Sequence, residues 1–268
     1  MELTGAGLTL EQALINLRQT QDTGLRYYAA WWLGKFRMST PEAIDLLLLA
    51  LEDELDRSPD GGYPLRRNAA RALGKLNEPR VVPALVRCLD STDYYVREAA
   101  AQSLEQLGES SCVPALVQLL AGGVEAAVPV PGKPHLVQPY EAILEALGRL
   151  GTKAEISHIE PFLEHPVQKV QFAAARALYQ LTQESQYGER LVQGLQAEKL
   201  PLRRSALIDL GAVGYLPGAP AIAKTLAENS LKLISLKGIL EDHLRQQQDP
   251  LTLSSDSIQV MQLMDDLL

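Results

Sequence analysis

One twelve-residue segment occurs twice in this chain, and that repetition constrains the fold more tightly than any other feature. Leu65-Arg66-Arg67-Asn68-Ala69-Ala70-Arg71-Ala72-Leu73-Gly74-Lys75-Leu76 returns as Val96-Arg97-Glu98-Ala99-Ala100-Ala101-Gln102-Ser103-Leu104-Glu105-Gln106-Leu107, and weaker copies begin at Leu25, Pro139, Val170 and Leu202. With the leucine of each Ala-Leu-Gly-like triplet as anchor, the copies stand at Leu33, Leu73, Leu104, Leu147, Leu178 and Leu210, spaced 40, 31, 43, 31 and 32 residues apart. A fixed period in this range marks a chain of stacked supersecondary units, each contributing to a shared core. The two long spacings hold insertions, one acidic and Gly-rich around Glu52 to Tyr63, the other Pro/Gly-rich around Gly122 to Pro139. Both are expected as surface loops.

Within each copy the columns follow helical spacing. Four residues before the anchor stand Ala29, Ala69, Ala100, Ile143, Ala174 and Ala206; three after it stand Phe36, Leu76, Leu107, Leu150, Leu181 and Val213. That i, i+4, i+7 stripe is the buried face of an amphipathic helix, and its alanines permit close helix packing. A second helix is marked in Val82-Pro83-Ala84-Leu85, Val113-Pro114-Ala115-Leu116 and Ala219-Pro220-Ala221-Ile222, with proline in the first turn, where its missing N–H leaves no bond unmade. The unit is a helical hairpin that completes its core only against its neighbours. Thr9 and Gln12 predict a capping box ahead of Leu14 and Leu17. The stretch from Ser254 to Leu268 reads as a terminal helix with Ile258, Met261, Met264 and Leu268 on one apolar side, which either closes the stack or docks a partner.

The pattern Val-Arg-x-x-Ala-Ala-x-x-Leu followed by Val-Pro-Ala-Leu resembles HEAT-like repeats, of the short variety found in phycobilisome lyases, over residues 25–240. The resemblance implies an all-α fold, a right-handed α-solenoid of about six to seven HEAT-like hairpins with capping helices at both ends. It implies a single continuous domain, with residues 1–24 as N-terminal capping helix, 25–240 as the repeats and 241–268 as C-terminal tail and helix.

Composition narrows the function. Lys and Arg total 25 against 33 Asp and Glu, a net charge of −8, so the mean field repels phosphate backbones and nucleic acid is not an expected partner. No run approaches the length of a membrane span, and Met1-Glu2-Leu3-Thr4 lacks the basic-then-apolar pattern of a signal peptide, so the expected location is cytoplasmic. Cys88 and Cys112 lie in apolar, helix-like runs and read as buried inert thiols. His135, His158, His165 and His243 are scattered, so no metal site is expected; nucleophile-elbow, phosphate-loop and Cys-x-x-Cys motifs are absent.

Chemistry is therefore sought on the face the stack leaves open, usually lined by the Arg-bearing helix of each hairpin. Positions six and two before each anchor lie off the core stripe: Tyr27 and Trp31, Arg67 and Arg71, Glu98 and Gln102, Glu141 and Glu145, Phe172 and Arg176, Arg204 and Ile208. Read along the chain, this face passes from aromatic through basic to acidic. Tyr27, Tyr28, Trp31, Trp32 and Phe36 crowd into ten positions; Phe36 is assigned to the core, Tyr28 is a second candidate for it, and a stripe of alanines cannot bury all five. Core packing, a protein interface and a conjugated ligand all remain open for this block. The arginines seven before the anchor, Arg26, Arg66, Arg97 and Arg203, are expected to bridge neighbouring repeats through carboxylates and carbonyls. Arg67 and Arg71, one turn apart, suit a bidentate carboxylate anchor or a solvated face. Glu98, Glu141 and Glu145 suit acid/base work, N–H recognition or, again, a solvated face.

The run Arg26-Tyr27-Tyr28-Ala29-Ala30-Trp31-Trp32-Leu33-Gly34-Lys35-Phe36 is similar to the N-terminal signature of E-type subunits of the E/F bilin lyases. The resemblance implies a lyase active as a heterodimer with an F-type subunit, which attaches phycocyanobilin by a thioether bond to a cysteine of the phycocyanin alpha chain. A related pair serves phycoerythrocyanin and isomerises the bilin, its F subunit carrying a His-Cys pair; here Arg87 precedes Cys88 and Ser111 precedes Cys112, so this is not the isomerising subunit. Which alpha chain is preferred as acceptor stays open. The linear tetrapyrrole enters as substrate, with no cofactor. Its flat face is assigned to Tyr27 and Trp31, its propionates to Arg67 and Arg71, its pyrrole N–H groups to Glu98, and proton donation to Glu98 or Glu141. Tyr28, Trp32, Met261 and Met264 are assigned to the partner. The acceptor supplies the thiolate, so no nucleophile is needed from this chain. The alternative is a noncatalytic HEAT scaffold or assembly factor that binds a protein through its aromatic patch.

Overall fold

The computed structural model describes residues 8–247 and 253–268. Among them the chain is helical, with one isolated antiparallel bridge, Pro129 to Leu136, and it divides into two compact units, Met1–Leu150 and Gly151–Leu268.

The first unit contains α1 (Leu10–Arg18), α2 (Thr23–Lys35), α3 (Pro41–Ala50), α4 (Pro64–Gly74), α5 (Val82–Cys88), α6 (Tyr94–Leu107), α7 (Val113–Gln118), the single turn α8 (Gly123–Ala126) and α9 (Tyr140–Leu150). Helices α2, α4, α6 and α9 carry the anchors and pack in that order, with α1, α3, α5 and α7 completing the hairpins. Leu33, Leu73, Leu104 and Leu147 are fully buried, as are Ala29, Ala69, Ala100 and Ile143 four residues earlier. The helices approach closely enough that a Cβ on Gly34 would lie 2.6 Å from Cα of Ala72, and one on Gly74 would lie 2.6 Å from Cβ of Ser103. The residue after one anchor thus meets the residue before the next, and Ser103 Oγ donates to the Ala70 carbonyl at 2.9 Å across the same junction.

Local chemistry sets the ends of these helices. The expected capping box closes α1: Gln12 N–H donates to Thr9 Oγ1 at 3.3 Å and Thr9 N–H to Gln12 Oε1 at 3.0 Å. Helices α5 and α7 start with proline in their first turn, each after a single 3-10 turn (Pro79–Val81 and Ser110–Cys112). The arginine column bridges repeats as expected. Arg26 pairs with Asp53 in the core, Arg66 Nε donates to the Asp53 carbonyl at 2.6 Å, and Arg97 donates to the Ser91 carbonyl at 2.6 Å and the Val137 carbonyl at 2.7 Å. Phe36 departs from expectation: α2 ends at Lys35, and as the C-cap residue Phe36 stays 52% exposed outside the core.

The second unit contains α10 (Ile156–Ile159), which runs into a 3-10 segment at Glu160–Glu164, then α11 (Gln168–Thr182), α12 (Ser185–Gly194), α13 (Leu200–Val213), α14 (Ala219–Lys224), α15 (Asn229–Gln246) and α16 (Ser255–Asp265). The packing register of the first unit recurs, with Gly211 against Ser235 and Ser235 Oγ donating to the Leu207 carbonyl at 2.7 Å. Leu236 is therefore a seventh anchor, only 26 residues after Leu210 and without an Ala-Leu-Gly triplet. Lys232 stands where the other copies have Ala or Ile; it is buried and its Nζ donates to the Ala223 carbonyl at 3.1 Å. The described residues thus form seven helical hairpins, the all-α HEAT-like architecture expected. Helix α16 docks on α14 and α15 by a different side from the one expected: Ser257 and Val260 are buried, while Ile258, Met261 and Leu268 are exposed and Met264 is half-buried. Ser254 caps it, accepting from Ser257 N–H at 3.1 Å and lying 3.0 Å from His243 Nε2. No helix of the described residues is long and apolar enough to cross a membrane.

Candidate functional site

In the first unit the register carries the sequence ladder into space. On α2, Tyr27 and Trp31 lie exposed on the open face, Trp31 at 42%, and Trp31 stacks on Tyr28 with ring centroids 5.3 Å apart. Tyr28 is exposed and takes no part in the core. Trp32 points the other way: it is 8% exposed and its ring lies 4.9 Å from Phe36. A 100° step between consecutive helical residues separates the two tryptophans, so Trp32 supports the aromatic block from below and offers a partner little surface. Asn68 Nδ2 donates to the Tyr27 carbonyl at 3.2 Å, which pins α2 to α4.

The two arginines of α4 differ in electrostatic state. Arg71 is exposed and lies 3.7 Å from Glu98 on α6. Arg67 is half-buried with its guanidinium 5.7 Å over the Tyr95 ring, its Nε meets no hydrogen-bond partner, and no carboxylate of the described residues lies within ion-pair distance. One cation of α4 is therefore matched by a carboxylate, while the other lies over a ring, in a cavity it lines together with Asp60 and Asp93 and without an ion pair among the described residues. The pairing of Arg71 with Glu98 also shows that a position two before one anchor faces a position six before the next, which sets Trp31 opposite Arg67. Glu98, Glu141 and Glu145 are all half-buried. Burial first, then the charges of Glu98 and Glu141, push the Tyr94 phenol far above its ordinary range, with Arg97 opposing.

The structure adds a cluster that the repeat pattern did not disclose, because it is built by the two insertions. Asp93 caps α6, accepting from Tyr95 N–H at 2.8 Å, and its other oxygen accepts from Tyr63 N–H at 2.7 Å, tying the first insertion to α6. Tyr63 lies between the guanidinium groups of Arg57 and Arg66, at 3.9 and 4.0 Å. The second insertion folds back as a short hairpin, with Val130 N–H donating to the His135 carbonyl and Val137 N–H to the Val128 carbonyl, both at 3.0 Å. That hairpin lays His135 flat on Tyr94, with centroids 4.1 Å apart and planes 12° apart, and against the edge of Tyr95 at 5.8 Å. Lys133 Nζ and Asp60 Oδ2, 3.9 Å apart, join the insertions. Between them opens a cavity of about 290 Å³ lined by Tyr94, Tyr95, Arg97, Lys133 and His135, and beside it one of about 140 Å³ that reaches Arg67. The sequence signal for this cluster lies in two facts: the two insertions flank one pair of repeat copies, and the second copy of that pair is preceded by Tyr94-Tyr95. A larger cavity of about 500 Å³, lined from α5, α7 and the second insertion, has Asp90 as its one charged lining residue and offers nothing to an anion.

The second unit closes its corresponding positions. Phe172 and Arg176, expected on the open face, are buried: Phe172 packs against Gly194, and Arg176 Nη1 lies 3.5 Å from Asp209. Arg204 is exposed but engages Glu228, Nε donating to Oε2 at 3.1 Å, and that hydrogen bond lowers the Glu228 carboxyl to about 2. Cys88 and Cys112 are buried free thiols, and burial pushes both up to about 11, which suppresses thiolate chemistry at neutral pH. No group of three or more His, Cys, Asp or Glu among the described residues is arranged to hold a metal ion.

Residues 49–128 match a family model of HEAT repeats, and residues 25–53 match the phycobilisome lyase HEAT-like repeat. The chain is 62% identical to phycocyanobilin lyase subunit alpha of Picosynechococcus sp. over 97% of its length and 96% of that protein's. It is 46% identical to the bilin biosynthesis protein PecE of Nostoc sp. over 82% of each chain. Among solved structures it is similar to a chain in the complex of CpcE and CpcF of phycocyanin lyase from Nostoc sp. PCC7120, at 60% identity and a TM-score of 0.90, covering 98% of this chain and 96% of that one.

Proposed function

The chain belongs to the family of phycocyanobilin lyase alpha subunits, and from that membership we propose that the open face of its first unit holds the bilin while the acceptor protein supplies the thiolate. It acts with an F-type subunit to attach phycocyanobilin to a cysteine of the phycocyanin alpha chain. The observation that carries the placement is Arg67, a half-buried guanidinium with no ion pair among the described residues, on the helix packed between α2, which exposes Tyr27 and Trp31, and α6, which carries Glu98.

A linear tetrapyrrole needs a flat apolar contact, cations for two propionates and acceptors for its pyrrole N–H groups. Adjacent packed helices lie about 8–10 Å apart, so α2, α4 and α6 together span roughly 16–20 Å, the scale of an extended bilin. Tyr27 and Trp31 supply the flat surface, Arg67 the principal propionate contact, Arg71 a weaker one because Glu98 already balances its charge, and Glu98 an acceptor for N–H. Attachment adds the acceptor's S–H across the ethylidene double bond: the S–H bond breaks, sulfur bonds to the exocyclic carbon, and the ring carbon receives a proton. Glu98 or Glu141 takes up the proton released from sulfur and passes it to that carbon. The work left to this chain is positioning and charge balance, which accords with two inert cysteines. Tyr28, exposed beside Trp31, and Met261 and Met264 on α16 remain our choices for contacts with the F-type subunit.

The test is reconstitution with the F-type subunit, phycocyanobilin and the apo phycocyanin alpha chain, read as zinc-induced fluorescence of the alpha chain after denaturing electrophoresis. The expected result is attachment that needs both subunits. Partner binding without attachment would favour a noncatalytic scaffold.

A further inference from the structure

Two aromatic surfaces, not one, lie on the helices packed either side of α4, which carries Arg67. The first is the Tyr27, Tyr28 and Trp31 block on α2; the second is the Tyr94, Tyr95 and His135 cluster on α6 and its hairpin. Aromatic, cation, aromatic is also the order of groups along a linear tetrapyrrole, whose propionates hang from its two middle rings while its terminal rings carry none. We propose that the bilin lies across α2, α4 and α6 with ring A, the ethylidene-bearing ring, in the cavity beneath the His135 hairpin and ring D on the Tyr27 and Trp31 surface. This orientation rests on the bilin-holding role of the same face.

The two ends are chemically unlike, and that difference sets the direction. The α2 surface is open and built from rings. The α6 end is a cavity of about 290 Å³ whose floor residue, Tyr94, feels the charges of Glu98 and Glu141. The reaction changes ring A alone, so the proton donors belong beside ring A. The walls also suit a lactam ring. His135 Nδ1 lies 2.8 Å from the Leu136 carbonyl, which only accepts, so Nδ1 carries a hydrogen and Nε2 is the ring nitrogen left to meet a polar group of the lactam. The phenol of Tyr94 stays protonated and stacks on that imidazole, and Lys133, linked to Asp60, closes the rim. The hairpin keeps this shape because Arg97 holds its Val137 carbonyl at 2.7 Å. The second insertion is then a wall that selects the reactive end of the chromophore.

The experiment uses the heterodimer with its F-type subunit and three bilins: phycocyanobilin, an analogue altered only at ring A (vinyl for ethylidene), and one altered only at ring D (vinyl for ethyl). Binding is read from visible absorbance and tryptophan quenching. The unmutated heterodimer should separate phycocyanobilin from the ring A analogue by about tenfold, the scale a fitted pocket reaches for a small change of substituent. His135→Ala and Tyr94→Leu should reduce that ratio to near one and leave the ring D ratio unchanged. Trp31→Leu should do the reverse. Because His135 lies on a hairpin outside the helical core, His135→Gln serves as a second, milder variant with the same expected direction. The swapped pattern, or equal weakening of all three bilins by every variant, would overturn the orientation while leaving the bilin-holding role intact. Failure of the unmutated heterodimer to bind any bilin would refute that role itself.

Discussion

The two units share one packing register and put it to different uses. In each, the residue after an anchor meets the residue before the next, a serine crosses the junction to a carbonyl, and an arginine of the same column bridges repeats. In the first unit, however, the off-core positions remain accessible and one cation is unmatched, whereas in the second Phe172 and Arg176 are buried and Arg204 is held by Glu228. The first unit also carries both insertions, and these convert an exposed helical face into a walled site. A repeat scaffold thus acquires a site through the few positions it leaves uncompensated and through the loops it admits; the repeat itself supplies only spacing.

If the scaffold is equivalent in the two units, its buried ion pairs should cost alike when broken. Arg26→Ala leaves Asp53 buried without its cation, and Arg176→Ala does the same to Asp209; each should lose about 3–5 kcal/mol, read as a lower urea midpoint. A large loss in one unit and none in the other would break the structural half of the comparison. The functional half is sharpened by charge deletion at matched positions. Arg67→Ala should weaken bilin binding roughly 10- to 100-fold, the range for about 1.5–3 kcal/mol in a hydrogen bond to a charged group. Arg71→Ala should have a smaller effect, and Arg204→Ala none. Equal losses from Arg67 and Arg204 would place the ligand across both faces and end the distinction.

Smaller effects come from titration. Both thiols, pushed up to about 11 by burial, should resist alkylation at pH 8 in the folded protein and react on unfolding. Glu228 is lowered from 4.5 to about 2, so its pairing with Arg204 stabilises the second unit above the ordinary carboxylate range and is lost as pH falls through about 2. Glu228→Gln should remove that acid-side dependence from the second unit. Both side chains lie at the surface, where solvent screens the pair, so this is the least of the expected changes.

How far the site could be read ahead depended on what kind of interaction decides each residue. Position relative to the core stripe follows from periodicity alone, which is why Tyr27, Trp31, Arg67, Arg71 and Glu98 are expected off the core, and all five are exposed or half-buried. Phe36 and α16 departed because a helix end and a docking side depend on neighbours: α2 stops one residue short of Phe36, and α16 buries Ser257 and Val260 while the face carrying Met261 stays outside. The seventh repeat lacks the sequence pattern of the others because a buried lysine, Lys232, occupies its alanine column, where the Ala223 carbonyl receives its Nζ.

Length of period, helical class, the buried anchors, the bridging arginines and the inert cysteines were all determined by sequence, since each follows from local propensity or from a stripe repeated every few residues. Tertiary structure alone decided which charge is compensated and what the insertions enclose. Arg67 and Arg71 are the same residue type on adjacent turns of one helix, and their neighbours on α6, a ring for the first and a carboxylate for the second, tell them apart. Likewise His135 meets Tyr94 across forty-one positions of chain. Contacts of that kind depend on how long loops close in space, and no periodicity along the chain records them.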